Sequence, residues 1–323
     1  MASIRSKDMP YISRVTSGEK ANPGIIQCKT KSYLRYAAQH GVKQMTFDNA
    51  DELYKIRAHY PKAELFLRIL TDDSSSLCRL SLKFGASLDC TRELMELAKD
   101  LELSVTGVSF HVGSGASDPL SFRKAVKDSR YVFDQASEVG YELKVLDVGG
   151  GFSGDTFDEM AQVLSNALDE NFPSGIRIIG EPGRYYVSSA FTLACSVIAR
   201  REIEDPATRA ISYMLYLNDG VYGNFSSIIF DHQHPLARVL QKRGGENNVE
   251  STDYSLWGPS CDGIDRITEA CTLCGVLDVG DWLYFEDMGA YTRCSATKFN
   301  GFTNDHEVLY ISSEPGASAL LGY

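Results

Sequence analysis

Six short apolar runs alternate with amphipathic helical stretches in the first 190 residues, and this alternation constrains the fold more than any other feature. Several runs are apolar at consecutive positions, which is typical of strands buried on both faces. Strands that alternate with helices predict a parallel sheet with crossover helices. The predicted strands span residues 24–28, 44–48, 65–70, 105–113, 143–151 and 176–183.

The number of predicted βα units leaves two architectures open. A closed barrel contains eight units and takes about 250 residues. Six units fit either an open doubly wound sheet or a (β/α)8 barrel without two of its units, and composition does not choose between them. We place this α/β domain at residues 24–190 and interpret the polar, aperiodic residues 1–23 as a tail.

The pattern changes after about residue 190. Apolar runs that read as strands, such as ISYMLYLND and HEVLYISSE, are separated by turn-rich stretches such as QKRGGENNVESTD and WGPSCDGID. This pattern of short apolar runs and turn-rich stretches predicts a mostly antiparallel β domain over residues 191–323. The boundary carries no Pro/Gly linker, so we expect the two domains to pack together.

Charge and composition exclude several classes of function. The chain has 32 Lys and Arg against 43 Asp and Glu, a formal net charge of −11. Such an acidic chain is a poor candidate for binding nucleic acid or an anionic membrane. No apolar run approaches the ~20 residues of a membrane span, and the first residues lack the apolar core of a secretory signal. We therefore predict a cytoplasmic protein with reduced cysteines.

Glycine and polar residues follow three successive predicted strands of the α/β domain. His111 ends one strand, Gly149–Gly151 end the next, and Glu181 precedes Gly183 and Arg184 after the last. Functional groups of α/β folds lie at the carboxyl ends of parallel strands. Glycine N–H groups and a guanidinium can bind a phosphate, whereas tight turns and a surface arginine are the simpler interpretation.

Two of these residues carry a more specific implication. A lone histidine such as His111 is usually a hydrogen-bonded core residue, but its place between glycine-rich strand ends favours a functional role. Glu181 ends an apolar strand, and a buried carboxylate needs a cationic partner. Arg68 is one candidate partner, and a pyridinium nitrogen is another.

The β domain contains a thiol and two acidic residues of interest. The stretch WGPSCDGID presents Cys261 beside Asp262, and Asp231 lies in the stretch FDHQHP. Two carboxylates can bind a substrate ammonium group, although a turn-forming aspartate is the simpler interpretation of each. Cys271 and Cys274 form a CxxC pair without a second pair at metal spacing, so no metal site is predicted.

Together these stretches resemble the eukaryotic ornithine decarboxylase family, and most closely its fungal members. They run in order from about residue 25 to residue 312 and are very specific as a set. The matching stretches are LRILTDDSSSLCRLSLKFGAS, GVSFHVGSGASDP, LDVGGGF, GEPGRYYVSSAFTLA, YLNDGVYGNFSSIIFDH, WGPSCDGID, VGDWLYFEDMGAYT and FNGF.

The resemblance implies an alanine-racemase-like (β/α)8 barrel followed by a β-sandwich or β-barrel domain. It also implies pyridoxal 5'-phosphate as the cofactor, with no metal, and a head-to-tail homodimer. In that dimer each active site combines the barrel of one subunit with the β-domain loops of the other. The implied substrate is L-ornithine, which gives putrescine, and lysine is the alternative because one methylene changes discrimination by only ~1–3 kcal/mol.

The resemblance also implies roles for individual residues. His111 is expected to stack on the cofactor ring, Glu181 to keep its pyridine nitrogen protonated, and Arg68 to line the cofactor site. The cofactor phosphate is expected to be held by Ser114, Gly149, Gly150, Gly151, Gly183, Arg184, Tyr185 and Tyr291.

The substrate-binding groups implied by the resemblance come from both subunits. Asp231 and the partner subunit's Asp262 are expected to bind the distal ammonium of the diamino acid. The partner subunit's Cys261 is expected to protonate the carbon from which carbon dioxide has left.

The sequence departs from the family pattern at its start. Family members carry the lysine that forms a Schiff base with the cofactor in a motif like YAVKCN, and an acidic residue in a motif like GFDCAS. Neither motif occurs here, and Lys29 and Lys31 match the loop after the third barrel strand, so no Schiff-base lysine is assigned. We expect an N-terminally incomplete chain, about 60 residues short of a full barrel.

Three hypotheses about function follow from this departure. The first is a decarboxylase, because retention of Cys261, Asp231 and Asp262 has a chemical reason only in catalysis. The second is a catalytically inactive regulator, similar to an antizyme inhibitor or to the inactive partner of a complete paralogue in a heterodimer. The segment at residues 29–53 resembles the region where antizyme docks in the family. The third is a degenerate gene product.

Overall fold

A computed structural model describes residues 28–172, 175–242, 250–303, 308–309, 311–312 and 316. The chain divides into two compact units, the first ending at Ala190 and the second beginning at Phe191. None of the described helices is long and apolar enough to cross a membrane.

Five strands of the first unit form a parallel sheet in the order β1-β2-β4-β6-β7. The sequence of β2 explains its place in the sheet, because Leu65, Phe66 and Leu67 are apolar in succession and all three are buried. The strands of this unit are β1 Gln44–Phe47, β2 Glu64–Arg68, β3 Ser76–Cys78, β4 Ser104–Ser109, β5 Ser114–Ala116, β6 Val145–Asp147 and β7 Arg177–Ile179.

Helices connect these strands, and capping residues define where the helices begin and end. The Thr30 hydroxyl accepts the Tyr33 N–H at 3.2 Å, and the Asn49 side chain accepts the Glu52 N–H at 3.0 Å, so both side chains cap helix starts. Gly41 closes the first helix at a φ of 70°, a left-handed conformation that favours glycine. The helices are α1 Lys31–His40, α2 Ala50–His59, α3 Leu88–Asp100, α4 Leu120–Val139, α5 Phe157–Asn171 and α6 Gly183–Val187.

The order of the parallel strands decides between the two architectures. A doubly wound sheet reverses its direction of growth at a switch point, whereas a barrel adds each strand beside the previous one. The five strands follow chain order without a reversal, so the barrel interpretation is confirmed and the doubly wound alternative is wrong. The first predicted strand, residues 24–28, lies almost wholly outside the described residues.

The second unit is built on one six-stranded sheet in the order β10-β13-β8-β9-β11-β12. Its pairings are antiparallel except for that of β9 with β11, which is parallel. The mostly antiparallel β domain is therefore confirmed. Its elements are β8 Leu193–Glu204, β9 Ile211–Leu217, α7 Ser227–Phe230, β10 Arg238–Gln241, β11 Ser251–Trp257, β12 Arg266–Cys274 and β13 Trp282–Phe285.

Two details of the second unit differ from the sequence prediction. The stretches predicted as turns contain parts of β10 and β11, because Ser251, Thr252 and Asp253 pair with β12. Strand β11 begins with polar residues, so its sequence was interpreted as a turn. Within it, the alternate residues Tyr254 and Leu256 point into the core. The strand predicted at HEVLYISSE lies largely outside the described residues, and those described there belong to no strand.

A buried ion-pair cluster fixes the start of α1 against α2. The Lys29 side chain is fully buried, and its Nζ lies 3.0 Å from Glu52 Oε1 and 2.7 Å from the carbonyl oxygen of Thr46, to which it donates. Lys55 Nζ lies 2.5 Å from the other Glu52 oxygen. Burial lowers the pKa of Lys29, and the Glu52 carboxylate opposes that change. The Glu52 carboxylate therefore stabilises the charged form of the buried Lys29 ammonium.

Replacing Glu52 with alanine should destabilise the protein by about 3–5 kcal/mol, because the Lys29 ammonium would stay buried without its carboxylate. Glu96 pairs with Arg92 at 3.1 Å on the surface of α3, and Glu96→Ala should cost below about 1 kcal/mol. Urea unfolding of the two variants measures both values. Equal losses of unfolding free energy would contradict the importance of this cluster.

Candidate active site

The site residues of the first unit lie at the carboxyl ends of four neighbouring strands. Arg68 ends β2, His111 follows β4, Asp147 ends β6, and Glu181 follows β7. Because these strands are parallel and adjacent, their carboxyl ends share one edge of the sheet. The sequence prediction named Arg68, His111 and Glu181, and it missed Asp147.

A buried guanidinium at this edge lies among several carboxyl groups. Arg68 is 8% exposed, and burial lowers its pKa, while the charges of Asp48, Glu181, Asp147 and Asp73 oppose that change and stabilise its cationic form. Burial is the main cause that raises the pKa of Asp147, to about 8, and the charge of Glu181 adds to it. Burial also raises the pKa of Glu181, against the opposing effect of Arg68. The two carboxyls therefore compete for one cation and favour keeping a proton.

His111 is neutral at physiological pH. Burial, followed by the positive charge of Arg68, lowers its pKa to about 4. The Gly113 N–H donates to His111 Nδ1 at 3.1 Å, so Nδ1 is the acceptor and the neutral ring carries its proton on Nε2. The imidazole can thus stack on a ligand ring without adding a positive charge.

The turn after β6 approaches its neighbours too closely for any side chain. A Cβ on Gly149 would lie 2.2 Å from the carbonyl oxygen of Phe110, and a Cβ on Gly150 would lie 2.8 Å from the Glu181 carbonyl oxygen. Gly149 also has a φ of 63°, in the left-handed region. Neighbouring protein atoms therefore require glycine at these two positions.

Hydrogen bonds connect this turn to the flanking carboxyl residues. The Gly149 N–H donates to Asp147 Oδ1 at 2.9 Å, and the Glu181 N–H donates to the Gly149 carbonyl at 2.8 Å. The Ser109 hydroxyl reaches the other Asp147 oxygen at 3.4 Å. Asp147 therefore fixes the start of the glycine turn. The Gly149 carbonyl of that turn then fixes the backbone of Glu181.

Residues predicted to hold a phosphate come together beside the glycine turn. Arg184 Nη2 donates to Ser114 Oγ at 2.8 Å, and Arg184 is 9% exposed. Gly183 begins α6, and its N–H donates to the Glu181 carbonyl at 2.8 Å. Tyr185 stacks on the ring of Phe157 at a centroid distance of 4.0 Å, so its ring contributes to packing.

A loop after β2 supports the strand end that carries His111. Thr71 Oγ1 donates to the His111 carbonyl at 2.9 Å, and Ser76 Oγ donates to the Val112 carbonyl at 2.5 Å. Asp73 is fully buried and accepts the Leu80 N–H at 2.6 Å, which holds the loop closed. The sequence prediction missed these residues, although the polar run TDDSSS after a strand was an available signal.

The thiol and carboxylate of WGPSCDGID are held by neighbours within the second unit. Tyr222 Oη donates to Asp262 Oδ2 at 2.5 Å, and the Cys261 thiol donates to Asn300 Oδ1 at 3.7 Å. The hydrogen bond to Asp262 raises the pKa of Tyr222 to about 12. The Tyr222 ring stacks on Phe299 at 4.2 Å. Tyr222 and Asn300 are site neighbours that the sequence prediction did not single out.

The remaining predicted residues also lie in the second unit. Asp231 is 5% exposed, and Gln233 Nε2 donates to its Oδ2 at 2.9 Å. Tyr291 is 45% exposed and has a φ of 57°, a conformation that tyrosine seldom adopts.

The CxxC pair has no metal-binding geometry. Cys271 and Cys274 lie three positions apart on β12, so their side chains point to opposite faces of the strand. Within the described ranges, no three His, Cys, Asp or Glu side chains are grouped to hold a metal ion.

Comparisons with known proteins match both parts of the chain. Residues 24–188 match the family of the pyridoxal-dependent decarboxylase, pyridoxal binding domain. Ornithine decarboxylase of Neurospora crassa is 62% identical over 91% of this chain and 67% of its own length. Antizyme inhibitor 2 of Xenopus laevis is 50% identical over 87% of this chain and 63% of its own length. The chain thus spans about two thirds of these relatives.

The fold is shared with solved decarboxylase structures. The Paramecium bursaria Chlorella virus arginine decarboxylase bound to agmatine superposes with a TM-score of 0.81 at 36% sequence identity. The superposition covers 88% of this chain and 76% of the viral enzyme. The predicted alanine-racemase-like fold is thereby confirmed, as is pyridoxal phosphate as the family cofactor. The chain belongs to the ornithine decarboxylase family of pyridoxal-dependent decarboxylases.

Proposed function

We propose that the protein catalyses the pyridoxal phosphate-dependent decarboxylation of L-ornithine to putrescine. The observation that carries the proposal is the buried group of Arg68, His111, Asp147 and Glu181 beside the glycine turn. The cofactor has a pyridine ring that is cationic when its nitrogen is protonated. A carboxyl group can bind that nitrogen, and a neutral imidazole can stack on the ring face without repelling it. The protein acts as a homodimer in the cytoplasm, with no nucleic acid or membrane as partner.

The geometry of the first unit fits the cofactor. The Gly149 N–H is taken up by Asp147, so the N–H groups of Gly150 and Gly151 are the ones that this turn offers to a phosphate. Ser114 and Arg184, joined at 2.8 Å, add a hydroxyl and a guanidinium to the same group. Tyr291 belongs to the second unit, and its role toward the phosphate follows from the family resemblance.

Glu181, His111 and Arg68 of the first unit have different roles at the cofactor ring. When bound, pyridoxal phosphate supplies an electron-withdrawing ring that stabilises negative charge on the substrate carbon as carbon dioxide leaves. Glu181 holds a proton at the ring nitrogen, since a carboxylate there favours the protonated nitrogen. His111 stacks on the ring face while remaining neutral, and Arg68 limits the negative charge that Asp147 and Glu181 bring.

The second unit carries the substrate-facing groups, of which Cys261 and Asp262 act in the partner's site. Cys261 donates a proton to the carbon that has lost carbon dioxide, so that the product is an amine. Asp262 binds the distal ammonium of the diamino acid, held in orientation by the Tyr222 hydroxyl at 2.5 Å. Asp231 adds a second, buried carboxylate. Lysine is the alternative substrate because it is one methylene longer and keeps the same two charged ends.

A second candidate function is regulation without catalysis. The similarity to antizyme inhibitor 2 favours it, as does the exposure of Tyr33 and Tyr36 on α1, within the segment that resembles an antizyme-docking region. In this alternative the protein pairs with a complete paralogue or titrates antizyme. Lys29 lies in the same segment, but its ammonium is engaged by Glu52 at 3.0 Å.

Release of carbon dioxide from labelled L-ornithine tests the proposed function directly. Protein purified from its native cells and supplied with pyridoxal phosphate should release carbon dioxide, and Cys261→Ala should lower kcat about 10²-fold, because general-acid transfer contributes on that scale. Cys274→Ala, at another exposed thiol of the same unit, should leave kcat unchanged.

Borohydride reduction followed by peptide mapping accompanies this assay. Reduction fixes a cofactor that is bonded to a lysine, and a labelled lysine peptide supports the decarboxylase. Absence of both ornithine-dependent release and a labelled lysine would overturn the proposal. Restored activity of an antizyme-inhibited ornithine decarboxylase, on adding such an inactive protein, would support the regulator instead.

Arg184→Ala should weaken binding of pyridoxal phosphate and of inorganic phosphate by about 10–100-fold, since it removes a charged hydrogen bond to the phosphate. Arg177→Ala is the matched control, because Arg177 begins β7 at the opposite end of the strand from the site. Absorbance titration with the cofactor measures both affinities. An equal effect of the two substitutions would refute the assigned phosphate site.

Asp147→Asn should flatten the dependence of stability on pH. A carboxyl whose pKa rises from 3.8 to about 8 on folding contributes full stability below pH 3.8 and loses it as the pH rises through about 8. Wild-type protein without cofactor should therefore lose up to about 1.4 kcal/mol per pH unit relative to the variant. Urea unfolding at pH 5 to 8 measures the difference, and parallel curves would be inconsistent with it.

A further inference from the structure

Asp265 lies at the base of the loop that carries Cys261 and Asp262, and it is 1% exposed. Its Oδ1 accepts the Val221 N–H at 2.8 Å, and its Oδ2 accepts the Ser260 N–H at 2.9 Å. These two N–H groups belong to loops about forty residues apart in sequence. One buried carboxylate therefore joins the two loops by a separate oxygen for each.

The main chain of Asp265 closes its own loop as well. The Gly258 N–H donates to the Asp265 carbonyl at 2.8 Å, and the Asp265 N–H donates to the Asp262 carbonyl at 3.0 Å. The segment that presents Cys261 is thus tied at both ends to a single residue. Its position depends on Asp265 more than on any apolar contact of the thiol, which is exposed.

Two glycines make room for this carboxylate. A Cβ on Gly220 would lie 2.2 Å from Asp265 Oδ1, and a Cβ on Gly258 would lie 2.1 Å from the same atom. Neither glycine has a positive φ, so close approach of the carboxylate, and not backbone conformation, is what requires them. The two loops and Asp265 therefore pack as one assembly that leaves no space for larger residues.

The joined loops carry the two reactive side chains and the tyrosine that contacts one of them. Val221 is followed by Tyr222, whose hydroxyl donates to Asp262, and Ser260 precedes Cys261, whose thiol donates to Asn300. Each N–H group that Asp265 accepts therefore belongs to the residue just before one of these side chains, Val221 before Tyr222 and Ser260 before Cys261. A shift of either loop would break the contact that orients Asp262.

We propose that Asp265 is a positioning residue that holds Cys261 and Asp262 in the arrangement needed for proton donation and ammonium binding. The proposal rests on the proposed function for the roles of those two residues. Asp265 acts through the Val221 and Ser260 N–H groups, one on each of its carboxylate oxygens.

Alkylation of Cys261 by iodoacetamide, followed by mass spectrometry of its peptide, tests the positioning without requiring catalysis. Asp265→Asn keeps the shape but places an NH₂ where one of the two backbone N–H donors needs an acceptor. Cys261 should then react about tenfold faster than in wild type, relative to Cys294 in the same sample. Asp281→Asn is the matched control, since Asp281 is 3% exposed and accepts a turn N–H of the same unit at 2.8 Å.

Steady-state kinetics with L-ornithine supply the functional measurement. Asp265→Asn should raise KM and lower kcat, while the affinity for pyridoxal phosphate stays at the wild-type value. Unchanged Cys261 alkylation in Asp265→Asn, or an equal change in Asp281→Asn, would overturn the proposal. A wild-type protein without decarboxylase activity would refute the proposed function alone, because the alkylation rates would still decide the role of Asp265.

Discussion

The structure of the site depends on one buried positive charge. Arg68 ends a strand in the interior of the first unit, where an unpaired guanidinium would be severely destabilising. Carboxyl groups at the ends of neighbouring strands offset that charge, while burial, assisted by the charge of Arg68, keeps His111 neutral. Burial and this one guanidinium together therefore shape the ionisation of the edge of the sheet.

The loops of the site are held through hydrogen bonds that their backbone N–H groups donate. In the first unit, Asp147, the glycine turn and Glu181 are connected through successive N–H and carbonyl groups. In the second unit, Asp265 holds two loops through their N–H groups in a similar way. Each unit thus uses one buried aspartate to hold the backbone of a loop that serves the proposed site.

The sequence predicted the parts of the fold that depend on local pattern. His111, Glu181 and Arg184 were predicted because they follow apolar strands, and chain order brings parallel strand ends together. Asp147 was missed because it reads as the last residue of a strand. The burial of Lys29 was also missed, because it depends on Glu52, and tertiary partners leave no periodic signal in one sequence.

The pKa values at the first unit's edge of the sheet determine how the charge of the site would respond to a change in cellular pH. His111, with a pKa of about 4, keeps its charge state throughout the normal range of cellular pH. Asp147, with a pKa of about 8, is already mostly protonated at neutral pH and gives up its proton only as the pH rises. Alkalinisation, and not acidification, would therefore change the charge at this edge, and it would do so through a carboxyl group while the imidazole stays neutral.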